Sequence, residues 1–530
     1  MTERRSDRNR NGGRAERRGG RSQGGRSGGH KARVSTASAS VEQLPWQTVR
    51  NRYGPMAILD DEGVETIHAA SMQVLEELGI ELWNPAARQL FADAGAIVEG
   101  EIVRVGRDII EAALATTPST FTITPRNFDK TITIGGDHLV FGLVAGPPNV
   151  HDEINGRRSS NMADYENFIR LAHYFNAIHI IGNQVAAPLE LPANTRHLDC
   201  YRANLTLSDL SYHCTAIGRG RALDGIEMMA IARDITIEEM ADRPGVATIV
   251  NINSPRRFDG EMAEGLMTMA EHGQAVSVTP FTLMGAMTPA TLGAALVQQN
   301  AEALFGIALT QLVRPGAPVL YGAFTSNVDM RSGAPAFGTP EQSKANVASG
   351  QLARRYQLPF RASNSSASNV VDAQAAYETM MSLWGCVIGG ANLIYHAAGW
   401  MEGGLQASYE KVVLDVELLQ QMIEFLKPID LEPEQLGLDA IARVPTGGHF
   451  FGDPHTLERY QNAFYAPMLS DWQNHGAWSD AGGLTATQRA TALWQQALAE
   501  YRPPPLADDR REELDEYVAK RKATIGDGEP

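Results

Sequence analysis

Ala275–Asn327 reads AVSVTPFTLMGAMTPATLGAALVQQNAEALFGIALTQLVRPGAPVLYGAFTSN. Two short apolar runs, AVSV and PVLYG, bracket a long apolar helical stretch. Neither run alternates polar with apolar residues, so each predicts a strand buried on both faces, as parallel sheets require. Two parallel strands must be joined by a crossover, here the helix between them. Working outward, the same unit repeats. Equivalent runs are LVFGLVAGP (139–147), AIHIIGNQVA (177–186), LSYHCTAIG (210–218), ATIVNINSP (247–255), PFRASNSSAS (359–368) and ANLIYHAAGW (391–400). The clearest helices are NMADYENFIRLAHYF, TPEQSKANVASGQLARRY, DAQAAYETMMSLWGCVI and SYEKVVLDVELLQQMIEFL. About eight strand–helix units over roughly 290 residues predict an α/β protein built as a (β/α)8 TIM barrel. A doubly wound sheet is the alternative, but no glycine fingerprint opens the first helix.

The flanks follow from composition and capping. Residues 1–40 are Arg/Gly-rich and nearly free of apolar side chains, which predicts a disordered, solvated tail or tether. Residues 41–137 predict an N-terminal α+β accessory region. Its first helix carries Val64, Ile67, Ser71, Val74, Leu75 and Leu78 on one face, with Gly79 as C-cap. A second helix starts at Asn84-Pro85, an N-cap followed by proline at the first helical position. The barrel is assigned to 138–427 and a C-terminal helical extension, packing back on the barrel, to 428–530.

The 530-residue chain has 46 basic and 62 acidic residues, a net charge of −16, so outside the tail nucleic acid is not an expected partner. No apolar run approaches the roughly 18 residues of a membrane span. The three cysteines suit a reducing compartment, and a cytoplasmic homo-oligomer is expected. His197, Cys200, His213 and Cys214 superficially suggest a metal site, but neighbouring strand residues point to opposite faces. No metal is expected.

In a barrel the loops leaving the C-terminal strand ends build the site. Here they lack familiar catalytic tools. Lys344 and Lys411 fall where helices begin, so Schiff-base chemistry is not indicated. Asp152, Asp329 and His396 come from well-separated strands, which argues against a metal centre. The rim instead offers rings and acids: Phe281 after the fifth run, Tyr321 and Phe324 at the sixth, Tyr395, Trp400 and Glu402 at the eighth, with Asp329 following the sixth. Rings near a carboxylate hold an alkylated ammonium through cation–π attraction of roughly 0.5–2 kcal/mol per ring. The bland alternative is that Tyr321 and Tyr395 simply fill barrel layers. Truncating Trp400 or Phe324 to alanine is expected to weaken cation binding much more than stability.

TPFTLMGAMTPATLGAALVQQNAEALFGIALTQLVRPGAPVLYG, GTPEQSKANVASGQLARRYQLP, DAQAAYE, HAASMQVLEELGIEL and the late GGHFFGDPHT resemble the trimethylamine:corrinoid methyltransferase superfamily, from about Val41 to Tyr501. The resemblance implies a barrel that moves a methyl group from an amine nitrogen to Co(I) of cobalamin carried by a separate corrinoid protein, with no cofactor held by the chain itself. Relatives acting on trimethylamine carry pyrrolysine, whereas this sequence uses only the ordinary twenty residues. The resemblance therefore points to the branch taking quaternary amines such as glycine betaine. Arg331, beside Asp329, is the first choice for a substrate carboxylate, ahead of Arg256 and Arg257. His396, Asn364 and Gln374 complete the expected substrate contacts. A non-corrinoid demethylase or lyase of a methylated amine, and a binding protein without turnover, are the rival readings.

Overall fold

A computed structural model describes residues 40–525. The predicted tail, Ser40 apart, lies outside these residues, and the described residues from Val41 onward form one compact unit. Eight parallel strands form the barrel: β1 (His138–Leu143), β2 (Ile180–Ile181), β3 (Ser211–Tyr212), β4 (Ala247–Val250), β5 (Ala275–Val278), β6 (Val319–Gly322), β7 (Phe360–Ser363) and β8 (Leu393–Ala398). They pair in sequence order, with β8 returning to β1. A parallel bridge between His213 and Ala247 completes the ring between β3 and β4. Each of the eight predicted runs supplies one strand. Eight helices follow them in turn: α1 (Met162–Tyr174), α2 (Arg196–Leu207), α3 (Gly218–Arg233), α4 (Gly260–Glu271), α5 (Leu292–Val313), α6 (Pro340–Arg355), α7 (Ala373–Gly389) and α8 (Tyr409–Phe425).

The apolar length of α5 has a packing cause. Its inner side lies on β5 and β6, and its outer side is covered by the N-terminal helices Asp61–Gln73, Pro85–Asp93 and Arg107–Thr116. A helix covered on both sides is hydrophobic all round. The expected caps at Asn84 and Pro85 are present, Asn84 accepting from the Ala87 N–H at 3.0 Å. The first helix departs from expectation at its end. Val74–Leu78 is a π turn closed by Gly79 N–H to Val74 O at 2.8 Å, and the inserted residue rotates Leu78 off the buried face, where it is half exposed.

The C-terminal region divides in two. Helix Ala486–Glu500 packs on α8 and α1, and helix Asp508–Thr524 packs on α3 and α2. The stretch between α8 and Leu469 does not pack back as expected: it consists of short helices with almost no buried side chains.

The barrel mouth carries two small sheets. Phe281–Met284 runs parallel to Phe324–Val328, which turns back antiparallel on Pro335–Ala336. On another side, Trp400–Met401, Gln406–Ser408, Asn149–Asp152 and Gly156–Ser159 form a second sheet. These sheets extend the strand ends outward and fix the side chains that face the opening.

Buried Glu302, on α5, holds the loop after β4. It accepts from Ser254 Oγ at 2.5 Å, the Arg256 N–H at 2.8 Å and Gln298 Nε2 at 2.9 Å. Burial outweighs those bonds and pushes its carboxyl up to about 7. Because the folded value lies above the ordinary one, the group's stabilising contribution is full below about 4.5 and is lost as pH rises through about 7. Relative to Glu302→Gln, the wild type should lose about 2–3 kcal/mol of stability between pH 5 and 8. Parallel melting curves of the two proteins check this; a constant difference across that window would contradict it.

Candidate functional site

The mouth of the barrel encloses a cavity of about 300 Å³ whose lining includes Phe281, Phe324, Arg361, Tyr395, His396 and Trp400, with the amides Asn183 and Asn251. It sits where a barrel site is expected, above the C-terminal strand ends. The parallel pairing sets Phe281 directly opposite Phe324, and their rings lie 5.0 Å apart. Trp400 approaches from the β8 exit. Its indole stacks on His396 at 5.3 Å and 22° and meets Phe337 edge-on at 5.0 Å. Gly404, at φ +97°, closes the turn beneath it; a Cβ there would stand 2.7 Å from the indole, so the ring position depends on glycine.

Arg361 is the unexpected member. It lies on β7, almost completely buried. Its guanidinium lies 5.0 Å from the Tyr395 ring centroid and 5.7 Å from that of Phe324. Nη1 donates to Ala323 O at 3.4 Å, and Nε has no hydrogen-bond partner among the described residues. Burial pulls its pKa down to about 10, which leaves it charged at neutral pH, and no carboxylate contributes to that value. A buried charge is ordinarily paired. Here the described residues supply rings and one carbonyl, and no Asp or Glu among them lines the cavity.

His396 lies within β8, at the register shift between Ile394 and Ala398, in the left-handed region, φ +56°, a conformation that costs an ordinary residue energy and clusters at functional sites. Its Nδ1 has no hydrogen-bond partner among the described residues. Burial, then the Arg361 charge and His213, holds its pKa well below the usual imidazole range, so the ring is neutral. His213, also neutral, is pushed down to about 3 by burial and lies edge-on to Tyr395 at 4.6 Å. The Tyr395 hydroxyl accepts from the Asn183 N–H at 2.7 Å, which ties β8 to the β2 exit.

The structure thus brings together five of the sequence-selected residues: Phe281, Phe324, Tyr395, His396 and Trp400. The other six lie elsewhere. Tyr321 points outward to α5, its hydroxyl bonded to Gln299 and Asn300. Asn364 is buried behind the wall, donating to Ala397 O, with Oδ1 unpartnered. Gln374 is exposed at the start of α7 and donates to Glu378. Glu402 forms an ion pair with Arg157 at 2.7 Å. Asp329 and Arg331 occupy an exposed turn, where the Asp329 carboxylate accepts from the Arg331 and Ser332 N–H groups and from Ser332 Oγ. Their first-choice roles as cation and carboxylate partners do not fit that position: neither residue lines the cavity, and the Asp329 carboxylate is already satisfied within its own turn. Asp329→Asn and Arg331→Gln should therefore leave turnover within about twofold of wild type, as expected for surface changes; a tenfold loss in steady-state kinetics would return that turn to the site.

The other candidates are engaged too. Arg256 donates to Gly79 O and Arg257 pairs with Glu81. Lys411 is buried against Asp415 at 2.5 Å, and Lys344 is exposed. His197 bonds Asp224 at 2.9 Å, away from His213. Among the described residues no group of three or more His, Cys, Asp and Glu could hold a metal ion. No described helix is long and apolar enough to cross a membrane.

A family model for trimethylamine methyltransferase (MTTB) matches residues 24–526. The chain belongs to that family. It is a methyltransferase, and its relatives divide by substrate. It is 36% identical to a glycine betaine methyltransferase from Desulfitobacterium hafniense (strain Y51), over 89% of this chain and 98% of that one. It is 28% identical to trimethylamine methyltransferase MttB from D. hafniense (strain DSM 10664 / DCB-2), covering 86% and 91%, and 28% identical to a proline betaine:corrinoid methyltransferase from Eubacterium limosum, covering 86% and 96%.

Proposed function

We propose that this methyltransferase takes a small betaine, a trimethylated nitrogen carrying its own carboxylate, and delivers one methyl group to Co(I) of cobalamin held by a separate corrinoid protein. The observation that carries this reading is Arg361: a buried cation without an acid partner among the described residues, in the same cavity as three electron-rich ring walls. A simple cation entering that cavity would meet a like charge at low dielectric. A zwitterion supplies the missing anion to Arg361 and offers its ammonium to Phe281, Phe324 and Trp400. The names of two relatives, which act on glycine betaine and proline betaine, support the same class.

The chemistry then needs little from the protein. When the C–N bond of a quaternary ammonium breaks, the electron pair stays on nitrogen and a neutral amine leaves, so no general acid is required. Neutral His396 and the absence of any lysine or acid in the lining suit such a step. Arg361 anchors the carboxylate, the rings exclude water and fix the N–CH₃ axis toward the opening, and Co(I) is the incoming nucleophile. Holding two reactants in line is worth up to roughly 7–11 kcal/mol. The cavity accommodates a small betaine and not a corrin macrocycle, so the acceptor would be met at the mouth.

A substrate panel read by the absorbance change of Co(I) cobalamin tests this. Glycine betaine or a close betaine should be the donor, and tetramethylammonium and trimethylamine should not. Equal or faster methyl transfer from either of the last two would overturn the assignment of Arg361 and the betaine reading with it.

A further inference from the structure

Between the end of α8 and Ser470 the chain makes an excursion with no core of its own. In residues 428–470 only Ala440, Asp453 and Leu469 are buried. Exposed along the same stretch and just beyond it are Ile429 (82%), Leu438, Phe451 (81%), Phe464 (84%) and Trp472, among other large apolar side chains. A bidentate Arg443–Asp453 pair braces the excursion internally, and the described hydrogen bonds of residues 430–464 stay within it. It returns to the barrel at Met468–Ser470, whose backbone and hydroxyl donate to Glu417 of α8. The GGHFFGDPHT motif lies in this segment, and none of its residues lines the mouth cavity.

Such a surface does not stay in water. One buried aromatic hides about 150–250 Å², so the exposed rings and aliphatic chains together pass the roughly 1,000 Å² that a specific interface needs. A second unpartnered apolar stripe lies next to the root of the excursion on the same chain. On α7, Tyr377 and Met381 are exposed one turn apart, followed by Trp384, which meets exposed Phe425 of α8 edge-on at 4.9 Å. Two apolar surfaces on one chain, neither covered by its described residues, let the arm of each copy meet the stripe of the other about a twofold axis. The root also leaves the mouth free. Helix α8 begins at the rim and runs back to the opposite face, where Tyr53 donates to Phe425 O and Lys427 O.

We propose that residues 428–472 form an arm that clasps a second copy of this chain, laying its apolar side chains on the α7–α8 stripe of that copy. Sedimentation velocity of the full chain at micromolar concentration should give an even multiple of 57.5 kDa, and Phe451→Glu/Phe464→Glu should give 57.5 kDa with an unchanged circular dichroism spectrum. Both side chains are exposed in the single chain, so the substitutions do not disturb its core. Should the double variant fail to fold, a photo-crosslinking residue at position 464 of the otherwise wild-type chain is the second measurement, and adducts to α7 of another copy are expected. A wild-type chain sedimenting at 57.5 kDa, an assembly that persists in the folded double variant, or crosslinks confined to the same chain would overturn the proposal.

Discussion

Arg361→Met is expected to lower kcat/KM for glycine betaine by at least about thirtyfold while leaving the protein more stable than wild type. The two effects have one cause. In the free enzyme the guanidinium is buried with rings and a single 3.4 Å carbonyl contact for company, so folding bears most of its desolvation. Replacing such a charge by an apolar chain of similar length is typically stabilising, here by about 1–4 kcal/mol. With a betaine bound, the same charge is paired, and truncating one partner of a buried ion pair costs about 2–5 kcal/mol. At tenfold per 1.36 kcal/mol this spans about thirtyfold to several thousandfold. Tetramethylammonium should respond in the opposite direction, binding better once the like charge is gone. A Tm that falls together with an unchanged kcat/KM would show Arg361 to be a structural residue.

The second large effect is expected at Trp400. From the sequence alone, truncating Trp400 or Phe324 to alanine is expected to weaken cation binding much more than stability. The structure corrects this, because both side chains are buried and packed against Phe337. Removing that much volume costs about 3–5 kcal/mol regardless of function. Trp400→Leu keeps an apolar wall and removes the electron-rich face. It should raise the KM for glycine betaine by up to about thirtyfold, the upper end of a desolvated cation–π contact. A neutral isostere separates charge from shape. In 3,3-dimethylbutanoate carbon replaces the ammonium nitrogen, so it fits the same cavity and still offers a carboxylate to Arg361. Wild type should prefer the betaine over this inhibitor, and Trp400→Leu should lose most of that preference. An undiminished preference would mean that the indole only fills space.

The barrel was legible because its signal is periodic and redundant. Eight apolar runs of similar length, each followed by a helix, leave few other closures, and LVFGLV, AVSV and ANLIYHAA could each be placed from local pattern alone. The rings of the site were legible for a related reason: Phe281, Phe324 and Trp400 stand just beyond barrel strands, Tyr395 and His396 lie within β8, and the fold dictates where those positions go. The charged partners were harder. Asp329 and Arg331 lie equally close in sequence to a strand end, but SNVDMRSGAPAF folds back as a hairpin whose turn carries them into solvent. A lone strand-end position does not reveal that reversal. Arg361 did leave a mark. An arginine inside PFRAS, with every residue of Phe360–Ser363 buried, is a charge where a parallel strand should have none. The exposed arm could not be seen at all, since only the lack of a neighbour among the described residues makes its short helices unusual.

The claim at the centre of this account is that the mouth aims one N-methyl carbon of a zwitterion at an external Co(I). Turnover of glycine betaine deuterated in all three methyl groups, followed by mass spectrometry of both products, tests it directly. The account predicts cobalamin carrying a CD₃ group and an equal amount of dimethylglycine retaining the other two labelled methyls. Labelled dimethylglycine without labelled cobalamin, or neither product, would contradict it.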